Sequence, residues 1–266
     1  MLSGIMEKSK KIVIKIGSNT LSNDDGTINH KFIKELSKQV SSLIKEGKQI
    51  AIVTSGAGIA GISRTNKWSR KEDMNYKQAL CSIGQVELMG AYSEHFAEHD
   101  IFIGQLLLTK EDIEDRTRNL NIRNTLFTLI DEDIVPIINE NDTVSVDQIR
   151  IGDNDTLAAH TASLWNADLL ILLSDIDGIY DKNPKEYKNA NLLEEVKDID
   201  NMIENIEIGA SNSFGTGGIA TKIEAARIVN KYGITMILAN GKRENILRQL
   251  CDNKTKATIF SGDFNN

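Results

Sequence analysis

Apolar residues gather along this chain in short runs, separated by longer stretches where they recur every three or four positions. The short runs cover 11–16, 49–53, 101–108, 134–138, 169–173 and 234–239. Most lack polar alternation, the pattern of strands buried on both faces of a parallel sheet. The longer stretches cover 30–46, 74–98, 116–132, 155–166 and 219–232. In the first of these, Phe32, Ile33, Leu36, Val40, Leu43 and Ile44 share one helical stripe. Strands alternating with helices predict right-handed βαβ crossovers, hence an α/β fold: a three-layer α-β-α sandwich with a mainly parallel central sheet. Two features interrupt the pattern. The polar turn at Asp25-Gly26, between Leu21 and Ile28, predicts a β-hairpin. Pro136 removes a ladder donor from an expected strand.

In open α/β sheets, ligands bind at the carboxyl ends of the strands. Here those ends carry the polar and glycine-rich clusters: Lys15-Ile-Gly17-Ser18, Thr54-Ser55-Gly56-Ala57-Gly58, Asn139-Glu140-Asn141-Asp142, Ser174-Asp175 and Asn240-Gly241. Five clusters far apart in sequence thus converge on one edge.

Composition narrows the partners. The 266 residues are 40 % hydrophobic and 26 % charged, ordinary for a globular core. With only Pro136 and Pro184 and no Gly/Ser tract, no linker divides the chain, and one domain over 1–266 is expected. A net charge of −7 argues against nucleic acid or a membrane surface as partner, but leaves room for ATP, which needs only a few local cations and N–H groups. Cys81 and Cys251 have neither disulfide-framework nor metal-ligand spacing. No signal-like segment opens the chain and no apolar run approaches a membrane span of about 18 residues, so a cytoplasmic location is expected.

Each motif carries a chemical and a plainer reading. Gly56-Ala-Gly58-Ile-Ala-Gly61 is a literal GxGxxG after a strand, yet the strand and acidic residue of a dinucleotide fold do not follow it. Its glycines read better as close backbone approach to an anionic substrate at a helix N-terminus. Gly215-Thr216-Gly217-Gly218-Ile-Ala-Thr221-Lys222 fails Walker A spacing, but glycine N–H groups with a lysine one turn into a helix still make an anion site; the alternative is a flexible loop. Lys15 is either a snorkelling strand end or a charge aimed into the cleft. Asn139–Asp142 and 151–155 suit magnesium, an ammonium group or lysine positioning, and equally suit turn and N-cap chemistry. His95 and His99 stand four apart without a third ligand nearby, beside Glu94 and Glu98, and read as a solvated helix face; no protein metal ligand is expected.

Seven segments together resemble the glutamate 5-kinase branch of the amino acid kinase family. They are Lys15–Ser18, Val53–Ala57, Gln105–Thr109, Val135–Asp142, Gly152–Asp155, Leu173–Asp175 and Gly215–Lys222, in the family's order over nearly the whole chain. The resemblance implies an amino-acid lobe over about 1–165 and an ATP lobe over about 166–266. It implies substrate contacts from Ser55, Asp142 and Asn154. Nucleotide contacts would come from Lys15, Ser174, Asp175, Thr216, Gly217, Gly218, Ile219, Ala220, Thr221 and Lys222. Lys15 and Lys222 would serve the transferring phosphoryl group, with Asp155 organising both. ATP and Mg²⁺ are the implied cofactors, L-glutamate the substrate and γ-glutamyl phosphate, toward proline, the product. Proline feedback and a homo-oligomer are further family expectations. Many members continue into a PUA domain, for which no segment is expected here. The residues themselves leave open a kinase of the same fold acting on N-acetylglutamate, aspartate, carbamate or UMP, a non-catalytic amino-acid sensor, and an NAD-dependent oxidoreductase.

Overall fold

Left-going and right-going connections sort the helices of this protein onto opposite faces of one sheet. The computed structural model describes residues 1–66, 73–144, 154–184, 186–206 and 218–261. Its strands are β1 (Lys11–Ile16), β2 (Gln49–Val53), β3 (Ile103–Leu108), β4 (Val135–Glu140), β5 (Leu169–Ser174), β6 (Glu195–Val196), β7 (Thr235–Asn240) and β8 (Ala257–Phe260), in the order β3-β4-β2-β1-β5-β7-β8-β6. From β1 the chain first moves one way along the sheet, through α3 (His30–Lys45) to β2 and through α4 (Ala57–Thr65) and α5 (Met74–Ala97) to β3. It then returns through α7 (Arg116–Asp131), α8 (Asn154–Trp165) and α10 (Gly218–Asn230). Right-handed crossovers in opposite directions must lie on opposite faces. Two apolar cores result, one under α3 and α5, the other under α7, α8 and α10.

Side chains of β1 alternate between these cores: Ile12, Ile14 and Ile16 enter the first, Val13 the second. The strands 11–16, 49–53 and 169–174 are buried along nearly their whole length, as expected for a sheet covered on both sides. The expected strand at 101–108 begins at Ile103, and the one at 134–138 runs on to Glu140. Pro136 is tolerated because β4 pairs with β3 there, while its recorded pairing with β2 begins only at Ile137. The hairpin at 21–28 is reduced to one antiparallel bridge, Ser22 to Ile28. The short edge pair β6 and β8 carries no long apolar run and is not foreseen by the pattern; β8 lies antiparallel to β7. Among the described residues, no helix is long and apolar enough to cross a membrane.

Strand order explains why distant clusters meet. β4, β2, β1, β5 and β7 are successive neighbours and mutually parallel, so their carboxyl ends form one continuous rim.

Candidate active site

Alternation along β1 turns Lys15 to the same face as Val13, toward α8 and α10. On α8, Asp155 occupies the first turn of a face continued by Ala158, Ala159 and Ala162. On α10, Lys222 extends the buried stripe of Ala225, Ala226 and Val229 toward the helix N-terminus. Three elements thus deliver three charges to one point. Lys15 Nζ lies 2.6 Å from Asp155 Oδ1, and Lys222 Nζ lies 3.0 Å from Asp155 Oδ2. The Thr221 hydroxyl donates to Oδ2 at 3.2 Å, and Lys222 also donates to the Gly218 carbonyl at 3.0 Å. Lys15, Asp155 and Lys222 are 4 %, 0 % and 7 % exposed. Burial pushes the Asp155 carboxyl up, but the two ammonium groups outweigh it and hold the group below its ordinary value. One carboxylate balances one ammonium, so this buried trio carries a surplus positive charge suited to an anion.

A second network adjoins it. The Asn154 amide nitrogen lies 2.6 Å from the Thr54 carbonyl, 2.9 Å from Ser55 Oγ and 2.8 Å from Asn139 Oδ1. Asn139 in turn donates to Gln85 Oε1 at 2.8 Å, and the Thr54 and Tyr92 hydroxyls are 2.9 Å apart. The ends of β2 and β4, the start of α8 and the middle of α5 are therefore tied together beside Asp155. Burial raises the Asp142 carboxyl above its ordinary value, although the Cys81 thiol donates to it. Cys81 is itself pushed up to about 12 by burial and by Asp142, and stays a protonated donor.

Across β1, Ser174 Oγ donates to Asp175 Oδ1 and Asn19 Nδ2 to Asp175 Oδ2, each at 3.2 Å. Burial pushes Asp175 up, yet these donors and the nearby Lys222 charge bring it below its ordinary value. Among the described residues, a Cβ built on Gly218 at the N-terminus of α10 would meet nothing within 4 Å. An N-terminal helix turn, two lysines and an acid that holds them form an arrangement that can grip and polarise a phosphate.

Comparison with known proteins gives the family. Residues 10–240 match the model of the amino acid kinase family. This chain belongs to that family. A glutamate 5-kinase of Alkaliphilus oremlandii is 76 % identical over 260 residues, covering 98 % of this chain and 99 % of that protein. The glutamate 5-kinase of Alkaliphilus metalliredigens is 68 % identical, with 98 % of each covered. Among solved structures, UMP kinase from Ureaplasma parvum superimposes with a TM-score of 0.65 at 19 % identity, covering 96 % of this chain and 99 % of that one. At that identity the likeness concerns the amino acid kinase fold alone.

Within this amino acid kinase chain, Lys15, Asp155 and Lys222 meet directly, Ser55 and Asn154 share the amide network, and Ser174 and Asp175 sit at the end of β5. Gly218, Ile219, Ala220 and Thr221 form the opening turn of α10. Thr216 and Gly217 lie outside the described residues, as do Gly152 and Asp153.

The glycines of 56–61 divide their work differently from the expected substrate approach. Gly56 adopts φ +94 at the N-cap of α4, a conformation natural to glycine. Gly61 is a packing residue instead: a Cβ there would fall 1.9 Å from the Leu80 carbonyl oxygen of α5. The sequence reading of His95 as part of a solvated face also fails, because His95 is 6 % exposed and turned toward α3. Asn19, Gln85 and Tyr92 were not expected in the site. A lone glutamine or tyrosine within a helix carries no local signal that it supports a strand end 38 or 54 residues away.

Proposed function

We propose that this chain transfers the γ-phosphoryl group of ATP to the side-chain carboxylate of L-glutamate, giving γ-glutamyl phosphate and ADP, the first step toward proline. The observation that carries the chemistry is the pair of buried lysines held on the single carboxylate of Asp155. The substrate choice is supported by the 76 % identity to a glutamate 5-kinase and by Asp142.

A glutamate side chain has an ordinary pKa near 4.3, so at neutral pH its carboxylate is already a nucleophile and needs no general base. Its oxygen attacks Pγ, the bond from Pγ to the β,γ-bridging oxygen breaks, and ADP leaves with that electron pair. The obstacle is repulsion between two anions. Unit charges about 4 Å apart interact by roughly 4 kcal/mol at an effective dielectric near 20. Lys15 and Lys222 offset terms of that size, Asp155 keeps both ammonium groups in position, and the N–H groups opening α10 steady the triphosphate. Ser174 and Asp175 line the nucleotide side. Ser55 and Asn154 line the amino-acid side, where Asp142 accepts the substrate's ammonium group. On this reading, roughly 1–165 forms the glutamate lobe and 166–266 the nucleotide lobe.

Both Asp155 oxygens are occupied by lysines. Asp155 is therefore committed to the lysines, and a Mg²⁺ arriving with the nucleotide would be held chiefly by the phosphates, supplying charge neutralisation there. Reliance on ATP suggests work in the cytoplasm. Ile83 and Val86, exposed on α5, favour a homo-oligomer, and proline is the expected feedback inhibitor.

The test is ADP release with hydroxylamine present to trap acyl phosphate. Hydroxamate formed with glutamate, and not with N-acetylglutamate or UMP, supports the assignment. Turnover of N-acetylglutamate in preference to glutamate would overturn the substrate, and no turnover of any candidate would overturn the enzyme.

A further inference from the structure

On the α3 and α5 face of the molecule, away from Asp155 and its lysines, His30 and His95 approach each other. His30 opens α3 and His95 lies near the end of α5, so the pair spans two helices. His30 Nδ1 and His95 Nε2 are 3.1 Å apart, and the rings meet edge to face. The Glu94 carboxylate joins them: one ligand atom from each of the three residues lies within 4.8 Å of the other two. Two ligands on a tetrahedral ion with bonds of about 2.0–2.1 Å stand about 3.3 Å apart, so the histidine nitrogens already have nearly that separation.

The remaining ring nitrogen of His95 provides the independent observation. His95 Nδ1 lies 3.1 Å from Glu98 Oε1, and Glu98 also receives Lys34 at 2.7 Å. Held in place by Lys34, Glu98 offers its other carboxylate oxygen as the acceptor for His95 Nδ1. That leaves Nε2 of this buried histidine facing His30, with Glu94 within reach of both. A carboxylate on the outer nitrogen of a histidine is the usual support for a metal ligand. The exposed side chains of His30 and Glu94 are free to turn by the ångström or so that closure requires.

We propose that His30, Glu94 and His95 form a site for a divalent transition ion of the zinc type, with water in the fourth position. Two imidazoles and one carboxylate select such ions and are poorly suited to Mg²⁺, which prefers an all-oxygen octahedron. The Mg²⁺ that accompanies ATP therefore does not fill it. The ion clamps the start of α3 to the last turns of α5, one turn beyond Tyr92, whose hydroxyl contacts Thr54 at the end of β2. The Lys34 ammonium, paired with Glu98, is exposed and screened by water.

The experiment uses the full chain, stripped with a chelator and titrated with Co²⁺ as a spectroscopic probe. One equivalent is expected to give the visible band of tetrahedral cobalt, displaced by Zn²⁺ and unaffected by excess Mg²⁺. His30→Ala, at an exposed position, should abolish the band while leaving metal-free melting and Mg-ATP turnover unchanged. Glu98→Gln should weaken cobalt binding by about 10–100-fold. Absence of a tetrahedral band in the folded wild type would overturn the proposal. A band of equal strength in His30→Ala would overturn it too, by placing the ion elsewhere.

Discussion

Lys15, Asp155 and Lys222 do unequal work, and single substitutions separate their parts. Lys222→Ala or Lys15→Ala leaves Asp155 with one ammonium, so the fold should survive, while kcat falls well over tenfold for want of transition-state charge. Circular dichroism together with steady-state kinetics checks both halves; wild-type turnover in a folded Lys222→Ala would remove that residue from the reaction. Asp155→Ala instead strands two buried ammonium groups, and should lower unfolding free energy by about 3–5 kcal/mol in urea titrations. Because the Asp155 carboxyl titrates below its ordinary value in the folded chain, its contribution is complete above the unfolded pKa and disappears as pH falls through the folded one. Asp142 has the opposite sign: burial raises it, so its ionisation opposes folding at neutral pH. Asp142→Asn should therefore raise stability at pH 7 while raising KM for glutamate. The wild-type KM should begin to climb on acidification at a pH above the ordinary carboxylate range. A KM that stays flat until that range would argue against an ammonium partner for Asp142.

At the scale of elements, α4 and α5 show how packing constrains the site. A Cβ on Gly84 would fall 1.8 Å from the Ala57 carbonyl oxygen, and one on Gly61 1.9 Å from that of Leu80. Backbone meets backbone at both contacts, with no flexible side chain to yield. Gly84→Ala should cost about 1–3 kcal/mol or more through overpacking, read as a lower thermal midpoint. It should also disturb KM, because α5 carries Gln85 and Tyr92 to Asn139 and Thr54. Most of these elements were legible beforehand: the helix expected at 30–46 runs His30–Lys45, and that at 116–132 runs Arg116–Asp131. Long amphipathic periods are local, so a linear reading finds them. At Ala57–Thr65 the glycines point to a helix N-terminus but hide the helix's extent, because Gly61 is there for close contact with a helix beyond it in sequence.

For the whole molecule, the sequence by itself determined the layers and the chemistry available. Continuous apolar runs require a sheet covered on both sides, and polar clusters following them require a rim that binds something. The buried stripe on α10 even places Lys222 on the inward face, since 222, 225, 226 and 229 repeat with the helical period. What only the tertiary structure decided is adjacency. The order β4-β2-β1-β5-β7 makes neighbours of strand ends as far apart in sequence as Ile16 and Leu173, and no local pattern encodes that order. The sharing of one carboxylate by Lys15 and Lys222, the support of Asn139 by Gln85, and the meeting of His30 with His95 are all products of it. Periodicity is a property of neighbours along the chain, whereas a site is a property of neighbours in space, and the crossovers between strands connect the two.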